Sequence, residues 1–176
     1  MRLFVALDLP VPTRAALATW ADATAPPELR RVRADNLHVT LSFLGERSVA
    51  EAVTVGPLLK PRRLGPLHTA GALWLPPRRP GVLAVALRKQ PALTALQRDL
   101  TAALEDAIGL APDRHRFRPH VTLARVPRGT RVDRELRALD PPPPLFSFQA
   151  PSLTLYHSWQ GPDGLRYDPV ARIALR

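Results

Sequence analysis

The 176-residue chain contains no cysteine. That excludes disulfides, thiol catalysis, Fe–S clusters and Cys-ligated zinc, and it leaves the redox compartment open. Lysine is scarce as well: of 25 basic residues, only Lys60 and Lys89 are not arginine. No stretch reaches the roughly 18 consecutive apolar residues of a membrane span. The apolar start from Leu3 to Leu9 is interrupted by Asp8 and followed by Pro10 and Pro12, so residues 1–30 do not read as a secretory signal. A cytoplasmic protein without a membrane partner is expected. There is no Walker A sequence, so nothing suggests a ligase driven by a nucleoside triphosphate.

Charge and proline are what the chain has in excess. The formal net charge is +10, with 15 acidic residues against the 25 basic ones. Such a balance favours polyanionic partners and says nothing about fold. Arginine's planar fork matches phosphate better than lysine's point charge. A genome-wide codon bias toward Arg, Ala and Pro is the bland source of the same pattern. The 21 prolines are about 12% of the chain against an average near 5%, yet Pro and Gly together stay below the range of disordered segments. With 45% hydrophobic residues, the chain can bury a sizeable core.

The hydrophobic pattern predicts strands over Arg2–Leu7, Leu37–Phe43, Leu67–Leu75, Val82–Leu87 and Val121–Val126. Leu29–Arg33 is a possible short strand. A final strand pair is expected over Phe146–Tyr156 and Leu165–Ala174, around the turn Gly161-Pro162-Asp163-Gly164. Helices are expected over Thr13–Ala25, from a Ser48–Glu51 capping box toward Leu59, over Pro91–Ile108, and briefly over Asp133–Leu139. The tetraproline at 141–144 reads as a loop or spacer. This is an α+β pattern with two similar halves.

Two of the five histidines sit in matching contexts. Leu37-His38-Val39-Thr40-Leu41 and Pro119-His120-Val121-Thr122-Leu123 share the pattern His–apolar–Thr–apolar. Two independent copies arise by chance with a probability on the order of 0.002. In a strand, residues i and i+2 face the same side. His38 and Thr40 then point one way while Val39 and Leu41 enter the core, and the second motif does likewise. Brought to one cleft, two imidazoles and two hydroxyls suit a phosphodiester. One neutral imidazole takes a proton from water and one imidazolium protonates the leaving oxygen. Both forms are expected near neutrality, because histidine titrates near pH 6.5. The threonine hydroxyls donate to phosphoryl oxygens as charge develops, and no metal is needed. The plain alternative, that each pair is merely an exposed strand face, fits one copy better than two. A zinc site on His38 and His120 lacks the usual local carboxylate spacing.

These segments resemble the two-histidine (2H) phosphoesterases, most closely the bacterial and archaeal RNA 2′,3′-cyclic phosphodiesterases, also called 2′-5′ RNA ligases. The resemblance rests on Arg2-Leu3-Phe4-Val5-Ala6-Leu7-Asp8-Leu9-Pro10, on Asn36 to Gly45 around the first motif, and on Arg116 to Arg125 around the second. It implies a bilobal α+β fold spanning residues 1–176 as one domain. The two pseudo-symmetric, intertwined lobes would each carry an antiparallel sheet with flanking helices, with the active-site cleft between the sheets. It implies hydrolysis of an RNA-terminal 2′,3′-cyclic phosphate to a 2′-phosphomonoester, with reversible joining of 2′-5′ linkages and no cofactor. The implied partners are RNA ends bearing the cyclic phosphate, tRNA fragments among them, and the implied state is a monomer. By the same resemblance His38 is the acid, His120 the base, and Thr40 and Thr122 hold the phosphate. The sequence itself does not order the two histidine roles.

Phe43 and Arg125 lie five residues beyond each histidine, and the resemblance makes them a sandwich for the nucleobase. Strand alternation objects, since an offset of five puts them on the opposite face unless a bulge turns them back. Core packing for Phe43 and a solvated arginine for Arg125 are the alternatives. Arg114, His115, Arg116 and Arg118 form a basic run that either binds RNA or is a solvated loop. Phe4 lines either the cleft or the core, with core favoured; Trp20 reads as core, and His68 and His157 as structural or exposed. Two rival functions stay open: action on a small cyclic-phosphate metabolite, and a non-catalytic RNA-binding module.

Overall fold

The structure is a computed structural model and describes residues 1–111, 113, 115–162 and 164–175. The strands are β1 (Arg2–Asp8), β2 (Arg30–Arg31), β3 (His38–Glu46), β4 (Leu67–Leu75), β5 (Val82–Leu87), β6 (His120–Arg125), β7 (Ser147–Phe148), β8 (Ser152–Gly161) and β9 (Gly164–Ala174). The helices are α1 (Val11–Thr24), α2 (Val49–Val55), α3 (Pro91–Ile108) and α4 (Arg134–Arg137). Every strand pairing among the described residues is antiparallel, in the order β7-β4-β5-β6-β3-β1-β8-β9, with β2 beside β6.

The α+β class and the two matching halves hold. The halves are not separate sheets, however. β4, β5 and β6 form one half and β3, β1 and β8 the other, and they join where β3 meets β6 at a single residue pair, Val39 with Val121. Outward from that pair the order is the same on both sides: a histidine strand, then a short apolar strand, then a longer one.

The continuous apolar run of β1 explains its central place. Leu3 to Leu7 are all buried, as expected of a strand covered on both faces. The helices cross the junction. α1 follows β1 but packs on β6, and α3 follows β5 but packs on β3. Leu17 and Trp20 of α1 and Leu93, Leu96, Leu100 and Leu104 of α3 enter one core with Val39, Leu41, Val121 and Leu123. One face of the junction is thereby buried, and the histidine face is left for the site.

Several boundaries follow from local chemistry. α1 starts two residues earlier than expected, because Pro12 falls in its first turn, where the missing N–H costs nothing. α3 has the expected bounds, and Gly109 closes it in the left-handed conformation (φ 61°). The capping box forms, with Ser48 Oγ accepting from the Glu51 N–H at 3.2 Å and the Ser48 N–H donating to Glu51 at 2.7 Å. The expected strand Phe146–Tyr156 is corrected. It breaks before Ser152, so that β7 pairs with β4 in one half and β8 with β1 in the other. Asp163, expected in the β8–β9 turn, lies outside the described residues. The tetraproline is anchored at both ends: the Thr69 hydroxyl donates to Pro144 O at 2.9 Å, and Trp20 Nε1 donates to Pro141 O at 2.9 Å.

Val39 is wholly buried at the junction. Val39→Ala removes two methyl groups there and lowers stability by about 2 kcal/mol, measured by urea unfolding. Val53→Ala, at an exposed position, changes it by less than about 0.5 kcal/mol.

Candidate active site

The Val39–Val121 pair sets the geometry of both motifs. Counting one residue each way in an antiparallel register, His38 lies across from Thr122 and His120 across from Thr40. The backbone register thus sets the two motifs side by side. All four side chains are half-buried, while Val39 and Val121 between them are wholly buried.

Both rings are pinned in the same way. His38 Nδ1 lies 2.7 Å from the carbonyl oxygen of Asn36, and His120 Nδ1 lies 2.6 Å from that of Arg118. A carbonyl only accepts, so each Nδ1 carries a hydrogen and each Nε2 is left free of the backbone. In His38 that Nε2 accepts from the Thr40 hydroxyl at 3.1 Å. Asn36 also donates through Nδ2 to Leu165 O at 2.8 Å, which ties the tip of the β8–β9 hairpin to the His38 loop.

His38 is enclosed by aromatic rings. Phe4 lies 4.8 Å away, and Tyr167 meets it edge-on at 5.3 Å. Burial therefore pushes its pKa down from 6.5 to about 4. The Asn36 carbonyl and the Asp8 charge oppose this, and the Arg125 and His120 charges add to it. The expectation that both imidazoles titrate near neutrality is corrected for His38, because the sequence does not reveal that Tyr167 of β9 meets its ring. Phe4 is buried, as the favoured reading had it, and its ring also packs against that of His38.

Bulges resolve the objection to Phe43 and Arg125. Between β1 and β3 the register passes from Ala6–Thr40 to Val5–Ser42, leaving Leu41 as an extra residue. Between β5 and β6 it passes from Ala84–Thr122 to Leu83–Ala124, leaving Leu123 extra. Both bulges fall three residues after the histidine, and each shifts the alternation by one. Phe43 is consequently 70% exposed, with its ring 6.2 Å from Phe4 on the histidine side. Arg125 is exposed at the end of β6, close enough for its charge to act on His38.

A cavity of about 560 Å³ opens beside the junction, lined by Thr40, Phe43 and His120. His115, Arg116 and Arg118 also line it, so the described part of the basic run faces the site; Arg114 lies outside the described residues. His38, Thr122 and Arg125 do not line this cavity, and His38 reaches it through Thr40. Among the described residues, no three His, Asp or Glu side chains are grouped to hold a metal ion, and no helix is long and apolar enough to cross a membrane.

Sequence reasoning missed Asp8. It pairs in register with His38, and its carboxylate accepts from Ser152 at 2.6 Å, Thr154 at 2.8 Å and Tyr156 at 2.6 Å, with Arg172 Nε at 3.3 Å. Burial and the bond to Asp8 raise the Tyr156 pKa. The available signals were one acid ending an apolar strand and the alternation Ser152, Thr154, Tyr156, which sets three hydroxyls on one face.

Because burial favours neutral His38, stability is lost as pH falls from 6.5 toward about 4, where the unfolded chain gains a proton that the folded one lacks. NMR titration of the His38 ring in the free protein should give a midpoint near 4, and Asp8→Asn should lower it further. A midpoint near 6.5 would contradict this account of its surroundings.

The chain is similar to known proteins over nearly its whole length. The 2′-5′ RNA ligase superfamily matches residues 9–161. The RNA 2′,3′-cyclic phosphodiesterase of Escherichia coli strain K12 is 34% identical over 99% of this chain and 96% of its own. The crystal structure of E. coli LigT complexed with 3′-AMP superposes with a TM-score of 0.80 at 32% identity, covering 99% of this chain and 97% of that one. The crystal structure of TT0787 of Thermus thermophilus gives 0.76 at 27% identity, covering 100% and 98%. The chain belongs to the 2′-5′ RNA ligase superfamily.

Proposed function

We propose that this protein hydrolyses the 2′,3′-cyclic phosphate at the end of an RNA to a 2′-phosphomonoester. Two histidines act as an acid–base pair without a metal. The observation that carries this reading is the meeting of two His–x–Thr motifs at Val39 and Val121, with both Nδ1 atoms tied to carbonyls. The full-length E. coli relative is named for the same activity, and the LigT crystal holds a 3′-nucleotide.

In the step itself, one imidazole takes a proton from water as the water oxygen bonds to phosphorus. The bond from phosphorus to the 3′-oxygen breaks, and the other histidine protonates that oxygen. Thr40 and Thr122 donate to the phosphoryl oxygens, Thr40 exchanging its bond to His38 for one to substrate. When a 5′-hydroxyl replaces water, the same step forms a 2′-5′ linkage, and its reverse opens one. Phe43 and Arg125 hold the terminal base. The substrate class is RNA fragments with cyclic ends, cleaved tRNA among them. Residues 1–176 act as one domain, in a cytoplasmic monomer.

The family resemblance makes His38 the acid, yet burial holds it neutral in the free protein. It serves as acid only if the phosphate anion brings the proton in with it. Binding of a 2′-phosphomonoester product should then raise the His38 midpoint from about 4 toward 6.5. A midpoint that stays near 4 in the complex assigns His38 the base and His120 the acid.

Phosphorus NMR on a 2′,3′-cyclic nucleotide in excess EDTA should show only the 2′-phosphate product. His38→Ala and His120→Ala should each slow it by about 10²–10⁴, and the double variant by much less than the product of the two. Turnover that survives both changes, or that EDTA abolishes, overturns the mechanism. Phe43→Ala should raise KM with kcat little changed, by about 1–3 kcal/mol of lost base stacking.

A further inference from the structure

Beyond the catalytic cleft, a second and more open cleft of about 980 Å³ lies between the β4–β5 hairpin and the segment that follows β6. Five arginines line it: Arg78 and Arg79 from the hairpin, and Arg131, Arg134 and Arg137 from the later segment. Asp133 is the one carboxylate among the described lining residues. The acid–base reaction uses none of these side chains.

Gathering five guanidinium groups around one concavity is unfavourable unless an anion attends them. Their forked donors match phosphate oxygens. No aromatic side chain is among the described lining residues, so the cleft offers no platform for a base. Val132 and Pro80 are the only apolar residues among them, too few for the core of a protein interface. What remains is recognition of phosphate alone, which positions a strand without reading its sequence.

Its placement names the strand. Pro77 lines the catalytic cavity and Arg78 lines the arginine cleft, so the two sites share one hairpin at neighbouring residues. Arg137 Nη1 donates to Pro77 O at 3.0 Å, bracing the two walls of the arginine cleft against that point. The Val126 N–H donates to Gly81 O at 2.8 Å, fixing the hairpin base beside Arg125.

We propose that the arginine cleft binds the phosphodiester backbone of single-stranded RNA upstream of the terminal phosphate, so that the enzyme prefers RNA ends to small cyclic phosphates. This rests on the cyclic-phosphodiesterase reading above. The binding is sequence-independent and weakens steeply with salt.

The test compares wild type with an Arg78→Ala/Arg131→Ala double variant on a 2′,3′-cyclic mononucleotide and on a single-stranded RNA ending in the cyclic phosphate. The variant should keep wild-type kcat/KM on the mononucleotide, which also shows that it is folded. On the RNA at low salt it should lose about tenfold. The slope of log(kcat/KM) against log salt should flatten by about 1.4, from two phosphate contacts at about 0.7 each. Equal losses on both substrates, or none on RNA, overturn the proposal. Anisotropy with a 3′-phosphorylated RNA reads the same cleft without turnover. If wild type hydrolyses neither substrate but the variant still binds that RNA about tenfold more weakly, the activity reading falls and the cleft stands. If polyglutamate of matched charge competes as well as RNA does, the cleft does not recognise phosphate.

Discussion

The site depends on one contact, the pairing of Val39 with Val121 where two half-sheets meet. Both valines are wholly buried, and the helices that bury them come from the opposite half. Apolar burial on one face therefore sets the spacing of the polar groups on the other. Antiparallel register then does the rest, placing each histidine across from the other motif's threonine. A slip of one residue at this pair would keep one motif facing the site and turn the other into the core.

Around that contact the two imidazoles live in different surroundings, although their backbone ties are alike. His38 packs against Phe4 and against Tyr167 of β9, and burial holds it neutral by pushing its pKa well below the ordinary value. His120 lines an open cavity beside arginines. Similar motifs thus meet different surroundings, one ring enclosed by aromatic side chains and the other at the wall of a cavity. Asp8, held by three hydroxyls and Arg172, supplies a fixed negative charge beside the more buried ring.

What the sequence made legible was local. α3 was readable to the residue, because its apolar positions repeat at helical spacing, and the paired motifs were readable because both copies lie on strands. The rest depended on distant parts of the chain. Nothing near Phe148 says that it pairs with Leu67, so the break between β7 and β8 was invisible. The facing of Phe43 and Arg125 turned on bulges at Leu41 and Leu123, which insert a residue without any glycine to mark them. Asp8 looked like an interruption of an apolar run, and its partners lie about 150 residues further on. The low pKa of His38 likewise needed Tyr167, from the far end of the chain.

The crossing of α1 and α3 over the junction has a consequence for biosynthesis. β3 is made early, but the helix that covers it begins at Pro91, and its partner strand β6 begins at His120. β1 waits longer still, for β8 at Ser152. These are non-local contacts whose loop-closure entropy must be met before they stabilise anything. A nascent chain therefore carries the first histidine motif long before it has a cleft. The site therefore assembles late, once β8 has been made, and not one motif at a time.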